Sequence, residues 1–169
     1  MASVLCIVLS GCGSAPKTIT GKGLSGTAAP TAPLSGEGAA TRTVVRDGGL
    51  AFSVLDVSSE REVGDPKEPG LSITAHGVFI VVDLSINNVG SVPLTFFDSY
   101  QTLIDTKGQR FPASRAADIY ANRAIRSTRL NPGSGLVVHI AFEVPADTVP
   151  GSIVLRESEN SDGVMVRLS

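Results

Sequence analysis

The chain has 169 residues and a formal net charge of −2, from 14 Lys and Arg against 16 Asp and Glu. That length fits one domain with appendages, and the charge balance lacks the basic excess that phosphate-backbone binding needs, so no nucleic-acid partner is expected. Both cysteines, Cys6 and Cys12, lie in the first dozen residues, which excludes a disulfide-stapled core and a cysteine nucleophile in the folded part.

Residues 2–9 (ASVLCIVL) are apolar and uncharged and run into Leu9-Ser10-Gly11-Cys12. The run is too short to span a bilayer, which takes about 20 apolar residues, but it suits the apolar core of a secretory signal. The tetrad resembles the bacterial lipobox. That resemblance implies a signal peptide over 1–11, cleavage after Gly11, and a diacylglycerol on the Cys12 thiol. Two or three acyl chains would anchor the protein stably, since each buried methylene contributes about 0.8 kcal/mol. No Lys or Arg precedes the apolar run; a start codon placed too late would account for that departure. The competing reading is a buried strand or helix with a chance cysteine.

Residues 12–42 hold the lipidated Cys12 and a Gly, Ser, Thr, Ala and Pro stretch with few large apolar side chains, which reads as a flexible linker. Within it, residues 21–26 (GKGLSG) satisfy the dinucleotide pattern G-x-G-x-x-G. That motif works only between a strand and a helix N-terminus, and neither flank has the periodicity, so the match is set aside.

The folded domain is expected over 43–169. Residues 43–46 start a short edge strand, Gly48-Gly49 turns, and 50–57 (LAFSVLDV) follows as a strand. Phe52 and Val54 point inward there, and Leu55 and Val57 switch parity, which calls for a bulge or a second buried face. The charged segment 58–70 (SSEREVGDPKEPG) with its two prolines reads as an exposed loop, and 71–74 as a short strand. In 76–89 (HGVFIVVDLSINNV), Val78, Ile80, Val82, Leu84 and Ile86 share one side, while the other turns polar at Asp83, Ser85 and Asn87. Side chains alternate across a strand, so this is a long antiparallel strand with one buried face. Short strands at 94–97, 100–105 and 109–111 follow, the last two joined by Thr106-Lys107-Gly108 as a hairpin. Only 112–127 (PASRAADIYANRAIRS) has helical leanings. A turn at 130–135 then leads into a second long strand, 136–144, and 153–156 and 164–168 complete the set. Seven to nine short strands with frequent turns give an all-β, antiparallel immunoglobulin-like β-sandwich preceded by a signal peptide and a disordered linker.

The run 79–88 (FIVVDLSINN) resembles the F-x-V-V-D motif of a bacterial lipoprotein family of unknown function. Further matches are Leu94 with Phe96-Phe97, the run Asp105 to Gly108, then Leu130-Asn131-Pro132-Gly133 and Phe142-Glu143-Val144-Pro145. The resemblance covers about 44–168, and the family's fold is similar to the mycobacterial immunoprotective extracellular antigen. It implies fold and location, with no catalytic residues.

Candidate chemistry is sparse. His76 and His139 have no Cys, His or carboxylate at ligand spacing in the sequence, so no metal is expected. Ser134 lies in a turn before a strand rather than in a strand-to-helix elbow. Asp98, Asp105 and Asp118 could converge but lack a Ca²⁺-loop pattern. Arg110, Arg115, Arg123, Arg126 and Arg129 form a candidate anion-binding face, suited to a lipid headgroup, a phosphorylated envelope sugar or a protein through the planar donor fork of Arg; the alternative is a solvated connection with internal ion pairs. Tyr100 and Tyr120 could add apolar contact. The chain therefore reads as a lipoprotein on the extracytoplasmic face of the cell membrane, displaying a non-catalytic binding domain without cofactor. The alternatives are a carrier of a small or lipidic ligand within the sandwich and an envelope hydrolase with a nucleophile–base cleft.

Overall fold

The computed structural model describes residues 43–65, 67–68, 70–121 and 127–168. The expected signal peptide, Cys12, the expected linker, Arg123 and Arg126 lie outside the described residues. Gly38–Ser169 form one compact unit.

The domain is an antiparallel β-sandwich. One sheet has the order β1 (Val44–Asp47), β2 (Leu50–Gly64), β3 (Ser72–Asn88), β8 (Gly135–Val144). The second has the order β10 (Val164–Arg167), β9 (Pro150–Leu155), β5 (Thr102–Asp105), β6 (Arg110–Pro112). A small ribbon pairs β4 (Leu94–Phe97) with β7 (Ser127–Leu130). A 3-10 turn at Asp98–Tyr100 and one short helix, α1 (Arg115–Ala121), complete the described elements.

The two long apolar strands expected from period-2 alternation are β3 and β8, and they pair directly, Val78 opposite Val144 through to Asn87 opposite Gly135. Ile80, Val82, Leu84 and Ile86 of β3 enter the main core with Ile140 and Phe142 of β8, Leu103 of β5, and Ile153 and Leu155 of β9. Each such side chain contributes roughly 1.5–3 kcal/mol by leaving water. Phe52 sits in the same layer and packs obliquely on Phe96, ring centres 6.4 Å apart. The parity switch in β2 is a bulge between Val54 and Asp56. It returns Val57 to the core side, where Val54 also packs.

Residues 58–64 are not the expected loop. They extend β2, pairing from Ser58 opposite Val81 to Gly64 opposite Ser72 with a second register shift between Glu60 and Glu62. The segment 71–74 correspondingly merges into β3. Backbone pairing with β3 outweighs the polar composition, because the charged side chains of this stretch face solvent and cost little there. The other addition is β7, which the sequence pattern left unassigned, and the described strands number ten.

Two polar side chains close the sandwich ends. Buried Asn88 donates from Nδ2 to the Val92 carbonyl (2.8 Å) and the Leu130 carbonyl (2.9 Å), and its Oδ1 accepts from Gly90 N–H. Buried Gln101 donates to the Phe97 and Arg156 carbonyls and accepts from Arg156 N–H. Both satisfy backbone groups that would otherwise be desolvated without partners. Gly108, at φ +84°, supplies the left-handed residue of the β5–β6 hairpin.

Candidate functional site

The first sheet turns one face to the core and the other outward, and the outward face is only partly covered. Phe79 and Val81 of β3, Val63 of β2 and Ala141 of β8 form a second apolar cluster with Ala117 of α1. Helix α1 is held there through the edge of β8. Ala141 N–H donates to Asp118 Oδ1 (2.8 Å) and the Ala141 carbonyl accepts from Ser114 N–H (2.7 Å), so neither group at that edge is left open. Gly77 lies near the far end of this face, where a Cβ would meet the Val144 carbonyl oxygen.

Beyond the helix the outer face opens into a groove of about 1100 Å³. Val63, Val81 and Leu71 give it an apolar floor, and Ile119, Tyr120 and Ala121 form the wall on the α1 side. Its polar lining is mainly acidic, with Asp56 and Glu60 from β2, Asp83 from β3, and Asp65 and Glu68 from the β2–β3 turn, joined by Ser58 and His139. Asp56 and Asp83 are directly opposite across β2 and β3, and Asp83 is directly opposite His139 across β3 and β8. His139 Nδ1 lies 2.5 Å from Asp83 Oδ1. Strand pairing thus sets two carboxylates and an imidazole in one row across three strands.

His76 lies away from this lining and pairs with Glu143. The Glu143 carboxylate accepts from His76 N–H and contacts Nδ1, both at 2.9 Å. The backbone N–H, and then the ring, hold the Glu143 carboxyl below its usual value. Each histidine therefore has a carboxylate neighbour, at separations of 67 and 56 residues; only strand pairing brings them together. Among the described residues, no group of three or more His, Cys, Asp or Glu is placed to hold a metal ion.

Of the three aspartates expected to converge, two do. Asp118 and Asp98 are both buried and interact. Burial pushes the Asp118 carboxyl up to about 7, the Ala141 N–H works against that, and the charge of Asp98 and a hydrogen bond to it add to the rise. Asp105 is elsewhere, accepting from Lys107 N–H and Gln109 N–H to shape the β5–β6 hairpin.

The described arginines of the expected anion-binding face, Arg110, Arg115 and Arg129, are all exposed, on β6, at the first position of α1 and on β7. They occupy three elements, and the groove lining includes none of the three. The alternate positions Asp56, Ser58 and Glu60 in β2 carry the signal for the groove, and it shows only once 58–64 is read as strand.

No helix among the described residues is long and apolar enough to cross a membrane. A family model described as a domain of unknown function, DUF4352, matches residues 41–164. No curated protein matches the chain. Among solved structures, a secreted protein from Mycobacterium tuberculosis, MPT63, superposes with a TM-score of 0.55 at 16% identity, over 75% of this chain and 92% of that one. The yjhA protein from Bacillus subtilis gives 0.54 at 13% identity, over 75% and 96%. A putative lipoprotein of Bacillus subtilis, ycdA, gives 0.51 at 13% identity, over 75% of this chain and 39% of that one. At such identities these likenesses speak to the fold alone, a β-sandwich.

Proposed function

The chain belongs to the DUF4352 family of domains of unknown function, and from that premise we propose that it is a lipid-anchored protein of the cell envelope that displays its β-sandwich as a binding module. The observation that carries the anchor is the tetrad Leu9-Ser10-Gly11-Cys12 after an apolar run. In this reading the acyl chains on Cys12 hold the domain at the extracytoplasmic face, and residues 13–42 space it from the bilayer. The putative lipoprotein and the secreted protein among the structural neighbours support such a location.

Binding at the outside of the sandwich is supported by how its interior is filled. A carrier needs room between the sheets for its ligand. That layer is occupied by Phe52, Leu84, Ile140 and Phe142, none of which has exposed surface. A rigid sheet with an open outer face suits recognition of a partner by fixed side chains.

Detergent phase partition of the full chain and its Cys12→Ser variant, with mass analysis of the mature N-terminus, tests the anchor. The parent is expected in the detergent phase, starting at an acylated Cys12, and the variant in the aqueous phase. Equal partition of the two, or an unmodified Cys12 in the parent, would refute the anchor.

A further inference from the structure

We propose that the outer-face groove docks a cationic peptide segment of a partner protein, an extended stretch with Lys or Arg side chains and at least one apolar anchor. This deepens the reading of a displayed binding module and rests on it for the binding, though not for the acylation of Cys12.

The charge argument comes first. The whole chain is nearly balanced, at 14 basic against 16 acidic side chains. Yet Asp56, Glu60, Asp65, Glu68 and Asp83 all line one groove, and among the described residues no Lys or Arg lines it. Close to a third of the acidic side chains therefore face one concavity, a pattern the overall composition does not impose. Low-dielectric walls concentrate the field of such a cleft and draw in ligands of opposite sign. The same field repels anionic headgroups, phosphorylated sugars and nucleic acid, so those are not its occupants.

The second argument is the apolar component. Carboxylates on a solvated face need no hydrophobic neighbours, but here they rim a floor of Val63, Val81 and Leu71 beside Tyr120. Leu71 remains 55% exposed at this site. An amphipathic lining of this kind matches a ligand with an apolar side chain flanked by cations. A simple metal ion or a bare ammonium would leave the apolar part unused.

Size and shape point to a peptide. The β2 portion runs from Asp56 to Gly64, which at about 3.3 Å per residue is roughly 26 Å of strand. The volume of about 1100 Å³ is at the upper end of the roughly 300–1,000 Å³ of small-molecule pockets, which leaves room for several side chains of an extended segment. An extended segment laid along β2 and β3 would set alternate side chains against the sheet, cations toward Asp56, Asp83 and Glu60 and an apolar one toward Val81 and Tyr120. It would also set a cation against the opposed carboxylates of Asp56 and Asp83.

The test is fluorescence anisotropy on the full chain with a labelled eight-residue peptide, Lys-Ser-Leu-Ser repeated twice, which when extended turns lysine and leucine side chains to the same face. Its glutamate–leucine and lysine–serine counterparts serve as controls. The expected result is saturable one-to-one binding of the lysine–leucine peptide that weakens as salt rises, with none for the glutamate–leucine peptide. The triple variant Asp56→Asn, Glu60→Gln, Asp83→Asn is expected to weaken it about tenfold. Should that variant lose its fold, Glu60→Gln alone, at an exposed position, is expected to give a smaller loss of the same sign. Unchanged affinity in both variants, equal binding of the glutamate–leucine peptide, or no saturable binding would overturn the proposal. A lysine–serine peptide that binds as tightly as lysine–leucine would overturn its apolar half. None of these results moves the phase partition of Cys12, so the two proposals fail separately.

Discussion

The two faces of the β2–β3–β8 sheet are built from the same strands and carry opposite chemistry. On the inner face, Ile80, Val82, Leu84 and Ile86 alternate without interruption and lock onto β5 and β9. On the outer face, apolar Phe79 and Val81 give way to Asp83 where the cover of α1 stops. The inner face shows what sets stability. The outer face shows that the same strand carries acidic side chains into a groove at positions where the fold asks only for a side chain that tolerates water.

That contrast can be broken most strongly from the inside. Phe52→Ala empties a fully buried site against Phe96 and is expected to cost about 3–5 kcal/mol, read from the urea midpoint. A loss under about 1 kcal/mol would show that the inner layer is not the stabilising one.

The seam where α1 meets the outer face comes next, through pH. The Asp118 carboxyl is raised from 3.8 to about 7 by burial, so the folded state holds its proton where the unfolded chain has lost it. Stability from this group is fully present below about pH 4, falls as pH rises toward 7, and changes no further above that. The span is on the order of 4 kcal/mol at most. Urea midpoints from pH 4 to 8 should show the decline in the parent. Asp118→Asn, which can still accept from Ala141 N–H, should remove it. Identical slopes in the two proteins would contradict the assignment.

The smallest effect is expected at the groove. Asp83→Asn removes the charge beside His139 and opposite Asp56 while its amide can still hydrogen-bond the imidazole. Partly exposed pairs contribute little, so stability should change by no more than about 0.5 kcal/mol. A larger loss would make Asp83 part of the scaffold and not of a surface available for binding.

The inner face was legible before any coordinates, because period-2 alternation in 76–89 and 136–144 reports burial directly. The parity switch in β2 was legible too, but it left a bulge and a second buried face both open, and the register shift between Val54 and Asp56 decides for the bulge. The outer groove was not. Apart from Asp56, its β2 wall lies in 58–64, where charge and the nearby prolines mimic a loop, and only the pairing of Ser59 with Ile80 and Gly64 with Ser72 reveals a strand. The pairs His139–Asp83 and His76–Glu143 were hidden too, since sequence spacing carries no information on which strands become neighbours. The arginines drew attention in sequence because they cluster along the chain. The carboxylates from β2, β3 and their connecting turn are spread over 56–83 and meet only through strand pairing.

The most direct test of the division between a structural inner face and a recognising outer one is an amide-resonance titration of the full chain with the lysine–leucine peptide. Shifts should concentrate at Asp56, Glu60, Val81, Asp83, Tyr120 and His139 and leave Ile153, Leu155 and Val166 unmoved. Shifts centred on β9 and β10, or spread evenly over both sheets, would contradict it.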